Sequence, residues 1–432
     1  MLSPEDNELL TRVGPGTEMG KLLRCYWIPI LLSDELEADG QPVRVRLFGE
    51  ELVAFRITDG RIGLLGEHCP HRRASFYFGR NEECGLRCFY HGWKFDLEGH
   101  CVDQPSEPGE KALNQIKTTA YPARERNGII WAYLGEGAAP SLPNIEWGLV
   151  SANRRYVSRR VLECNWAQVV EGDMDTSHAS FLHRRLNTAD FEKFERKKIM
   201  NYMYHDGHPV FEIVPTEYGL MIAARRNAEA DSYYWRITQF LFPFFVLPAT
   251  YEDHVFRSNV FCPMDDYRTL VWTIDWHPAR TLTADELKLR NEGKIGHCVD
   301  FLPASPAAGG KWLPSANRGN DYHADYARSK TVQFSSIEEV WGQDKAASET
   351  LGTIADRSKE FLGKSDAAIV RWRRLMLDTV RKHNGSVLPG RDPEVQLVRS
   401  ANFVLPRDRS WKEVVGGFVC GGLDVPIHPE TV

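Results

Sequence analysis

Alternation of apolar and polar residues predicts a β-rich N-terminal segment. Residues 43–58 alternate, with Val43, Val45 and Leu47 before Gly49 and Leu52 and Ala54 after it, which predicts a hairpin. Further short strands are predicted over 61–65, after an Asp-Gly turn, and over 129–134. Residues 135–143 are rich in Gly, Ala and Pro, so we predict a linker there and divide the chain into domains 1–140 and 141–432.

Beyond this linker the pattern changes to a mixture of strands and helices. Strands are predicted over 209–225, 233–247 and 269–277, and helices over 165–183, 281–299, 336–361 and 365–383. Residues 302–320 have no regular period and are predicted to form a functional or mobile loop. The whole chain is therefore predicted to be α+β, with an antiparallel sheet and several helices in its second part.

Composition excludes several classes of protein. The 432 residues are 42% apolar and 26% charged, as in ordinary globular proteins, and the net charge of −6 argues against nucleic acid or an anionic membrane as the main partner. No leader segment is visible, and the most apolar stretch is far shorter than the roughly 20 residues of a spanning helix. Nine thinly spread cysteines indicate a reducing compartment, so we expect a soluble cytoplasmic protein with thiols available for metals.

The most informative motif combines cysteine and histidine in two short loops. Cys69-x-His71 is followed, after sixteen residues, by Cys88-x-x-His91. A Rieske [2Fe–2S] cluster requires this mixture, because two thiolates hold one iron and two imidazoles hold the other. A structural zinc site is the alternative, but zinc fingers usually pair Cys with Cys and His with His. The neighbouring His68 and Cys84 lie outside the spacing and are predicted to be non-ligands.

A second candidate metal motif is Asp175-x-x-His178-x-x-x-x-His183. Non-haem Fe(II) oxygenases bind iron through two histidines and one carboxylate, which leaves open positions on the metal. The two histidines are five residues apart, about 140° around an ideal helix, so the helix is expected to bend, bulge or end between them. Two histidines at this spacing are a weak signal alone, and the upstream motif is what strengthens it.

Together the two motifs resemble the oxygenase α-subunits of Rieske non-haem iron aromatic ring-hydroxylating oxygenases, and in particular the phthalate-dioxygenase-like branch. The resemblance implies an all-β Rieske domain over 1–140, after an N-terminal extension, and a helix-grip-like catalytic domain over 141–432 with an antiparallel sheet flanked by helices. The segments that support it are Arg72-Arg73-Ala74-Ser75, Tyr90-His91-Gly92-Trp93-Lys94, Gly342-Gln343-Asp344 and Asp356-Arg357-Ser358.

The resemblance also implies residue roles that spacing does not establish. Asp344 is the implied third ligand of the mononuclear iron, with Asp356 and Asp366 as rival carboxylates. Asp175 is implied to link the two metal sites between neighbouring subunits, by bonding His91 of one chain and His178 of the next. That role implies a head-to-tail homotrimer, or a stacked hexamer of two such trimers.

The implied activity is oxygenation of an aromatic acid or an aryl ether with O₂. The resemblance implies a [2Fe–2S] cluster, a mononuclear Fe(II) and electrons from NAD(P)H. These electrons are expected through a separate flavin or iron–sulfur reductase, with or without a ferredoxin, because the chain has no G-x-G-x-x-G loop. The alternatives are O- or N-dealkylation by monooxygenation, and a Rieske electron-transfer protein without oxygenase activity.

Candidate pocket residues are weakly determined by the sequence. The aromatic stretch 240–247 is a candidate lining for an aromatic substrate, although packing in a sheet core is the favoured interpretation. Arg225, Arg226 and Arg236 are candidates for binding a substrate carboxylate, and an ordinary strand position is the favoured interpretation of each.

Overall fold

The structure is a computed structural model that describes residues 1–108, 113–186, 197–250, 255–383, 388–425 and 427. Its α-helices are α1 (Pro4–Thr11), α2 (Glu18–Arg24), α3 (Trp166–Met174), α4 (Lys197–His205), α5 (Ala284–Asn291), α6 (Arg328–Thr331), α7 (Val340–Thr350), α8 (Ala367–Lys382) and α9 (Trp411–Val419). The helices in the described part of the chain all fall short of the length and apolarity that crossing a bilayer requires.

The strands of the N-terminal part are β1 (Ile28–Leu32), β2 (Val43–Leu47), β3 (Glu50–Arg56), β4 (Ile62–Gly66), β5 (Arg80–Glu82), β6 (Gly85–Arg87), β7 (Lys94–Phe95), β8 (Cys101–Asp103), β9 (Ala123–Arg126) and β10 (Ile129–Ala132). Those of the C-terminal part are β11 (Arg155–Leu162), β12 (Val210–Thr216), β13 (Gly219–Asn227), β14 (Ser232–Leu241), β15 (Phe245–Leu247), β16 (Phe256–Pro263), β17 (Thr269–Trp276) and β18 (Ala401–Pro406).

The N-terminal strands form three small antiparallel sheets, in the orders β1-β10-β9, β2-β3-β4 and β5-β6-β7-β8. The predicted hairpin pairs β2 with β3 through a turn in which Phe48 and Gly49 both have positive φ. The β-rich character of this part is confirmed. The sequence did not predict α1 and α2, which begin at side-chain caps on Ser3 and Thr17.

The C-terminal part is built on one antiparallel sheet in the order β11-β17-β16-β15-β14-β13-β12, with β18 also paired to β14. Helix α3 contacts β15 and β16, α8 contacts β12, and α9 packs on β18. The predicted α+β class, with an antiparallel sheet flanked by helices, is confirmed. Strands β11, β16 and β18 were not predicted, because buried positions on both faces remove the simple alternation of a half-exposed strand.

Several predicted helices are too long. The helix predicted over 165–183 ends at Met174, and Asp175 already has extended backbone angles. The chain then makes a single 3₁₀ turn at His178–Ser180. The helix predicted over 281–299 begins at a capping box on Thr283 and stops before Gly293, whose φ is +68°. The helix predicted over 336–361 is limited to α7.

One hydrophobic core continues from the N-terminal sheets into the large sheet. Trp131 of β10 stacks on Trp147 with ring centroids 5.5 Å apart, and Trp147 in turn contacts Phe245 of β15. The stretch 240–247 is buried in this core, so core packing is what it does. The predicted linker 135–143 has no regular element, and its Pro140 carbonyl accepts a hydrogen bond from Trp27. The boundary at residue 140 therefore remains a prediction.

A buried charge network joins the strands at one end of the large sheet. Arg257 makes two hydrogen bonds to Asp275, of 2.7 and 2.8 Å, and Arg290 of α5 lies 2.8 Å from the same carboxylate. His297 bonds Asp275 through Nε2 at 3.0 Å and the Ser158 hydroxyl through Nδ1 at 2.7 Å. Burial is the main cause that lowers the pKa of His297 to about 4.

This lowered pKa predicts a loss of stability towards acid pH. Unfolded chains take up a proton on His297 near pH 6.5, whereas folded chains do so only near pH 4, so stability falls as pH drops between these values. The slope from this group is about 1.4 kcal/mol per pH unit. We expect the melting midpoint of the wild type to fall more steeply than that of His297→Gln from about pH 6.5 to about pH 5. His208→Gln, at an exposed histidine, should keep the wild-type slope, and equal slopes in all three proteins would contradict the prediction.

Candidate metal centres

The first centre is built by two loops of the N-terminal sheets. Cys69 follows β4 in a tight loop where its N–H bonds the Ala74 carbonyl. Cys88 follows β6, and the loop turns back through Gly92, whose φ is +77° and whose N–H bonds the Cys88 carbonyl at 3.0 Å. A side chain at Gly92 would come within 2.8 Å of Pro105, so this turn requires glycine.

The four predicted ligands lie together between these loops. The Cys88 thiol is hydrogen-bonded to Cys69, and this contact together with backbone N–H donors of its own loop lowers the pKa of the Cys88 thiol to about 6. The rings of His71 and His91 are 4.6 Å apart, and Trp93 stacks on His71 at 4.4 Å. Two adjacent thiols beside two adjacent imidazoles are the donor set of a mixed Cys/His iron–sulfur cluster.

The two neighbours that were predicted to be non-ligands point elsewhere. His68 lies 3.0 Å from the Glu51 carboxylate through Nε2 and 3.2 Å from the Arg73 carbonyl through Nδ1. Cys84 is exposed in the turn between β5 and β6, with φ of +62°.

The second centre is a convergence of three donor atoms from distant parts of the chain. His178 Nε2 lies 3.1 Å from His183 Nε2, and Asp344 Oδ1 lies 3.7 Å and 3.1 Å from these two nitrogens. Among the described residues, His178, His183 and Asp344 are the one group of three or more Cys, His, Asp or Glu side chains whose donor atoms all lie within 4.8 Å of one another. Asp344 comes from the first turns of α7, while His178 begins the 3₁₀ turn after α3 and His183 follows that turn.

Gln343 determines which nitrogen of His183 faces this convergence. The Gln343 amide donates to the Ile337 carbonyl at 2.7 Å, which orients its Oε1 towards His183 Nδ1 at 2.6 Å. Oε1 can only accept, so Nδ1 carries the proton and Nε2 presents a bare lone pair. Two imidazole lone pairs and a carboxylate oxygen directed at one point need a proton or a metal cation between them, and this donor set fits ferrous iron.

Asp175 lies behind the first histidine of this group. Its Oδ1 accepts from the Ser177 backbone N–H at 2.7 Å, and its Oδ2 lies 3.8 Å from His178 Nδ1. Burial opposes ionisation, but these neighbours outweigh it and hold the pKa of Asp175 below its usual range. The carboxylate is therefore placed to orient the His178 ring.

The rival carboxylates do not face the histidines. Asp356 bonds Ser358 and Lys359 at the surface, and Asp366 accepts from the Gly363 N–H. Neither belongs to the group of converging donor atoms described above.

The three candidate arginines differ in their surroundings. Arg226 is buried and bonds the carbonyls of Thr176 and Asp206, so it holds the segment between Asp175 and His178 in place. Arg236 is buried and donates to the Met203 sulfur at 3.7 Å, and Arg225 packs over the Tyr233 ring.

Buried ion pairs fix the two helices that present the second centre. Glu171 of α3 bonds both Arg357 and Arg373, and these arginines hold the pKa of Glu171 low although burial opposes this. On α7, Lys345 pairs with Glu349 at 2.8 Å, and both side chains are buried. Gln343 and these ion pairs were not predicted to have a role. Their only signal was proximity to candidate ligands in sequence.

Comparison with known families accounts for most of the chain. Residues 26–120 match the model of the Rieske [2Fe-2S] domain, and residues 132–421 match the model described as LigXa C-terminal domain like. Together these segments contain all of the candidate ligands.

Individual relatives agree with this assignment. The chain is 36% identical to the phthalate 4,5-dioxygenase oxygenase subunit of Pseudomonas putida, over 97% of this chain and 96% of that protein. It is 34% identical to the 5,5'-dehydrodivanillate O-demethylase oxygenase subunit of Sphingobium sp., over 91% and 83%. The fold is similar to that of the oxygenase in the reduced complex between oxygenase and ferredoxin of carbazole 1,9a-dioxygenase, with a TM-score of 0.55, 18% identity, and 86% and 95% of the chains covered.

The bond from Gln343 predicts a specific defect in metal binding. Gln343→Leu removes the acceptor that fixes the His183 tautomer, so the affinity for mononuclear iron should fall roughly 10- to 100-fold while the iron–sulfur cluster stays intact. Iron titration of the protein, with the visible spectrum as the cluster readout, measures both. Gln396→Leu removes an equally buried amide far from the histidines and should leave iron affinity unchanged. A Gln343→Leu protein with wild-type affinity would show that the bond has no such role.

Proposed function

The chain belongs to the Rieske non-haem iron oxygenases, in their phthalate-dioxygenase-like branch, and on that premise we propose that it is the oxygenase component of a multicomponent system that hydroxylates an aromatic acid or an aryl ether with O₂. The observation that carries this proposal is the convergence of His178 Nε2, His183 Nε2 and Asp344 Oδ1. A Rieske domain that only transfers electrons has no need of this second donor set.

Each candidate residue takes one role in this proposal. Cys69 and Cys88 would hold one iron of the cluster, and His71 and His91 would hold the other. The mononuclear Fe(II) would be held by His178, His183 and Asp344. When bound, these groups supply single electrons and the activation of O₂, which side chains alone cannot provide. The protein orients the donors through Gln343 and Asp175, and a set of three protein ligands leaves positions free for O₂ beside the substrate.

Electrons are proposed to come from NAD(P)H through a separate reductase, with or without a ferredoxin. The carbazole oxygenase of similar fold is described in complex with a ferredoxin, which supports a protein donor of this kind. Phe78, Phe89 and Tyr90 are more than half exposed around the cluster loops and offer an apolar surface for a partner.

We propose a head-to-tail homotrimer, with a stacked hexamer as the larger form, in which Asp175 receives His91 of the next chain. Two features support it. The Asp175 carboxylate keeps a fifth of its side chain exposed. Phe181 and Phe334 are about half exposed and lie close to the iron donors. They form a second exposed aromatic surface, besides that of Phe78, Phe89 and Tyr90 around the cluster loops. In each contact between subunits, domain 1–140 of one chain then meets domain 141–432 of the next.

The proposed location is the cytoplasm. The nine cysteines, all in the described part of the chain, are not joined in disulfides, which suits a reducing compartment.

O- or N-dealkylation by monooxygenation is the second candidate reaction. Similarity to an O-demethylase over most of the chain favours it. Both reactions need the same two metal centres, so the position of the substrate decides between them.

Metal content tests the proposed function directly. We expect about three irons and about two acid-labile sulfides per chain, and O₂ uptake that depends on an aromatic substrate, a flavin reductase and NADH. His178→Ala should retain the sulfides and about two irons, and lose the uptake. Wild-type protein with only two irons would identify an electron-transfer protein and contradict the oxygenase.

Replacing Asp175 tests its role between the centres. Asp175→Asn keeps the shape and removes the charge, so both metals should stay bound while oxidation of the reduced cluster in a single turnover slows at least about tenfold. Stopped-flow absorbance of the cluster measures this rate. Asp356→Asn, at a surface acid of the same chemistry, serves as the control. Wild-type cluster oxidation in Asp175→Asn would rule out the bridging role.

A further inference from the structure

A cluster of polar side chains lies on one face of the large sheet. Asn259 of β16 and Thr273 of β17 are direct partners across the two strands, so their side chains share a face. Arg160 of β11 donates through Nη1 to the Thr273 hydroxyl at 2.8 Å, and Asp173 of α3 accepts from the Asn259 amide at 3.0 Å. We call these four residues the inner-face cluster.

The inner-face cluster lies beside the proposed iron donors. Helix α3, which carries Asp173, packs against both β16 and α7, and α7 carries Asp344. Asp173 therefore lies on the helix that contacts the strand of Asn259 and the helix of Asp344. It is also the second residue before Asp175, at the end of the helix that leads into the centre.

Three polar atoms of this cluster are buried without a partner among the residues that the structure describes. They are Arg160 Nε, Asn259 Oδ1 and Asp173 Oδ2. The Arg160 and Asn259 side chains belong to residues that are only 6% and 7% exposed. Buried polar groups gain from a hydrogen-bond partner, so three partnerless atoms gathered in one cluster form a place where a bound group can supply partners that the protein does not.

The chemistry of the three atoms restricts that group. Arg160 Nε is a donor and needs an acceptor, whereas Asn259 Oδ1 and the Asp173 carboxylate oxygen accept and need a donor. A substrate carboxylate or ether can only accept hydrogen bonds. It would therefore satisfy Arg160, but its oxygen would face the acceptor oxygens of Asn259 and Asp173. A neutral hydroxyl both accepts and donates.

We propose that the inner-face cluster binds a neutral hydroxyl group of the aromatic substrate, as in a phenol, and so positions the ring beside the iron donors. Arg160 donates to the hydroxyl oxygen, and the hydroxyl proton goes to Asn259 or Asp173. The proposal rests on the proposed oxygenase function and narrows its substrate to hydroxylated aromatics over simple aromatic acids.

Binding of three probes that share one ring and one methoxy group tests this proposal. Guaiacol carries a hydroxyl, veratrole carries a methyl ether in its place, and 2-methoxybenzoate carries a carboxylate. Calorimetry on the anaerobic, oxidised holoprotein measures binding without turnover. We expect guaiacol to bind at least about tenfold more tightly than either other probe.

Variants of the cluster should remove this preference. Asn259→Leu keeps the approximate shape and removes the acceptor, and we expect guaiacol and veratrole to bind with similar affinity. The control is Ser258→Ala, a buried hydroxyl on the same strand with its side chain on the opposite face, which should keep the wild-type preference. If Asn259→Leu does not fold, Arg160→Lys keeps the charge, removes Nε and should weaken guaiacol binding.

Several results would overturn the proposal. Tightest binding of 2-methoxybenzoate, equal binding of all three probes, or no binding of any probe each contradicts a hydroxyl site. These results leave the oxygenase function standing if the protein contains mononuclear iron and takes up O₂ with another substrate. Conversely, a hydroxyl preference in protein without mononuclear iron would support the binding site and reject the oxygenase.

Discussion

The second centre depends on holding three electron-rich atoms against one another. His178 Nε2, His183 Nε2 and Asp344 Oδ1 are separated by 3.1–3.7 Å and come from segments more than 150 residues apart. Their lone pairs repel unless a proton or a metal cation lies between them, so the surrounding structure has to hold the three atoms in this arrangement. The early end of α3, the tautomer fixed by Gln343 and the burial of α7 against α3 all serve this one requirement.

Buried ion pairs help to fix the positions of α3 and α7. Glu171 is pinned by two buried arginines on the turn of α3 that leads to Asp175, and Glu349 is paired with Lys345 on the turn of α7 after Asp344. Buried ion pairs contribute little net stability compared with apolar packing, because desolvation costs about as much as the attraction returns. Their advantage is direction, since a bidentate arginine fixes position in a way that apolar contacts do not. The need to position the candidate iron ligands is therefore a physical reason for burying these ion pairs.

The sequence predicted what is local and missed what is not. Each Rieske half-motif is contained within a few residues, so its spacing suggested it, and the presence of that motif strengthened the weak signal of the Asp175–His178–His183 segment. Asp344 required resemblance to a family, because nothing in a sequence without known contacts brings residue 344 next to residue 183. The length of α3 was overestimated because residues 175–183 contain neither proline nor alternation, and only the backbone shows that Asp175 is already extended. The inner-face cluster was missed because single polar residues in a strand look like solvent-facing positions.

Two neighbouring residue pairs on the same strands show why that cluster is informative. Arg257 and Asp275 face each other across β16 and β17, and Asp275 is surrounded by two arginines and His297. Two residues further along each strand, Asn259 faces Thr273 in the same way, yet Asn259 Oδ1 has no partner in the described residues. The Asp275 carboxylate on this face of the sheet is thus surrounded by partners that the protein itself supplies. The partnerless Asn259 oxygen lies two residues further along the strand, in the cluster that we propose binds the substrate hydroxyl.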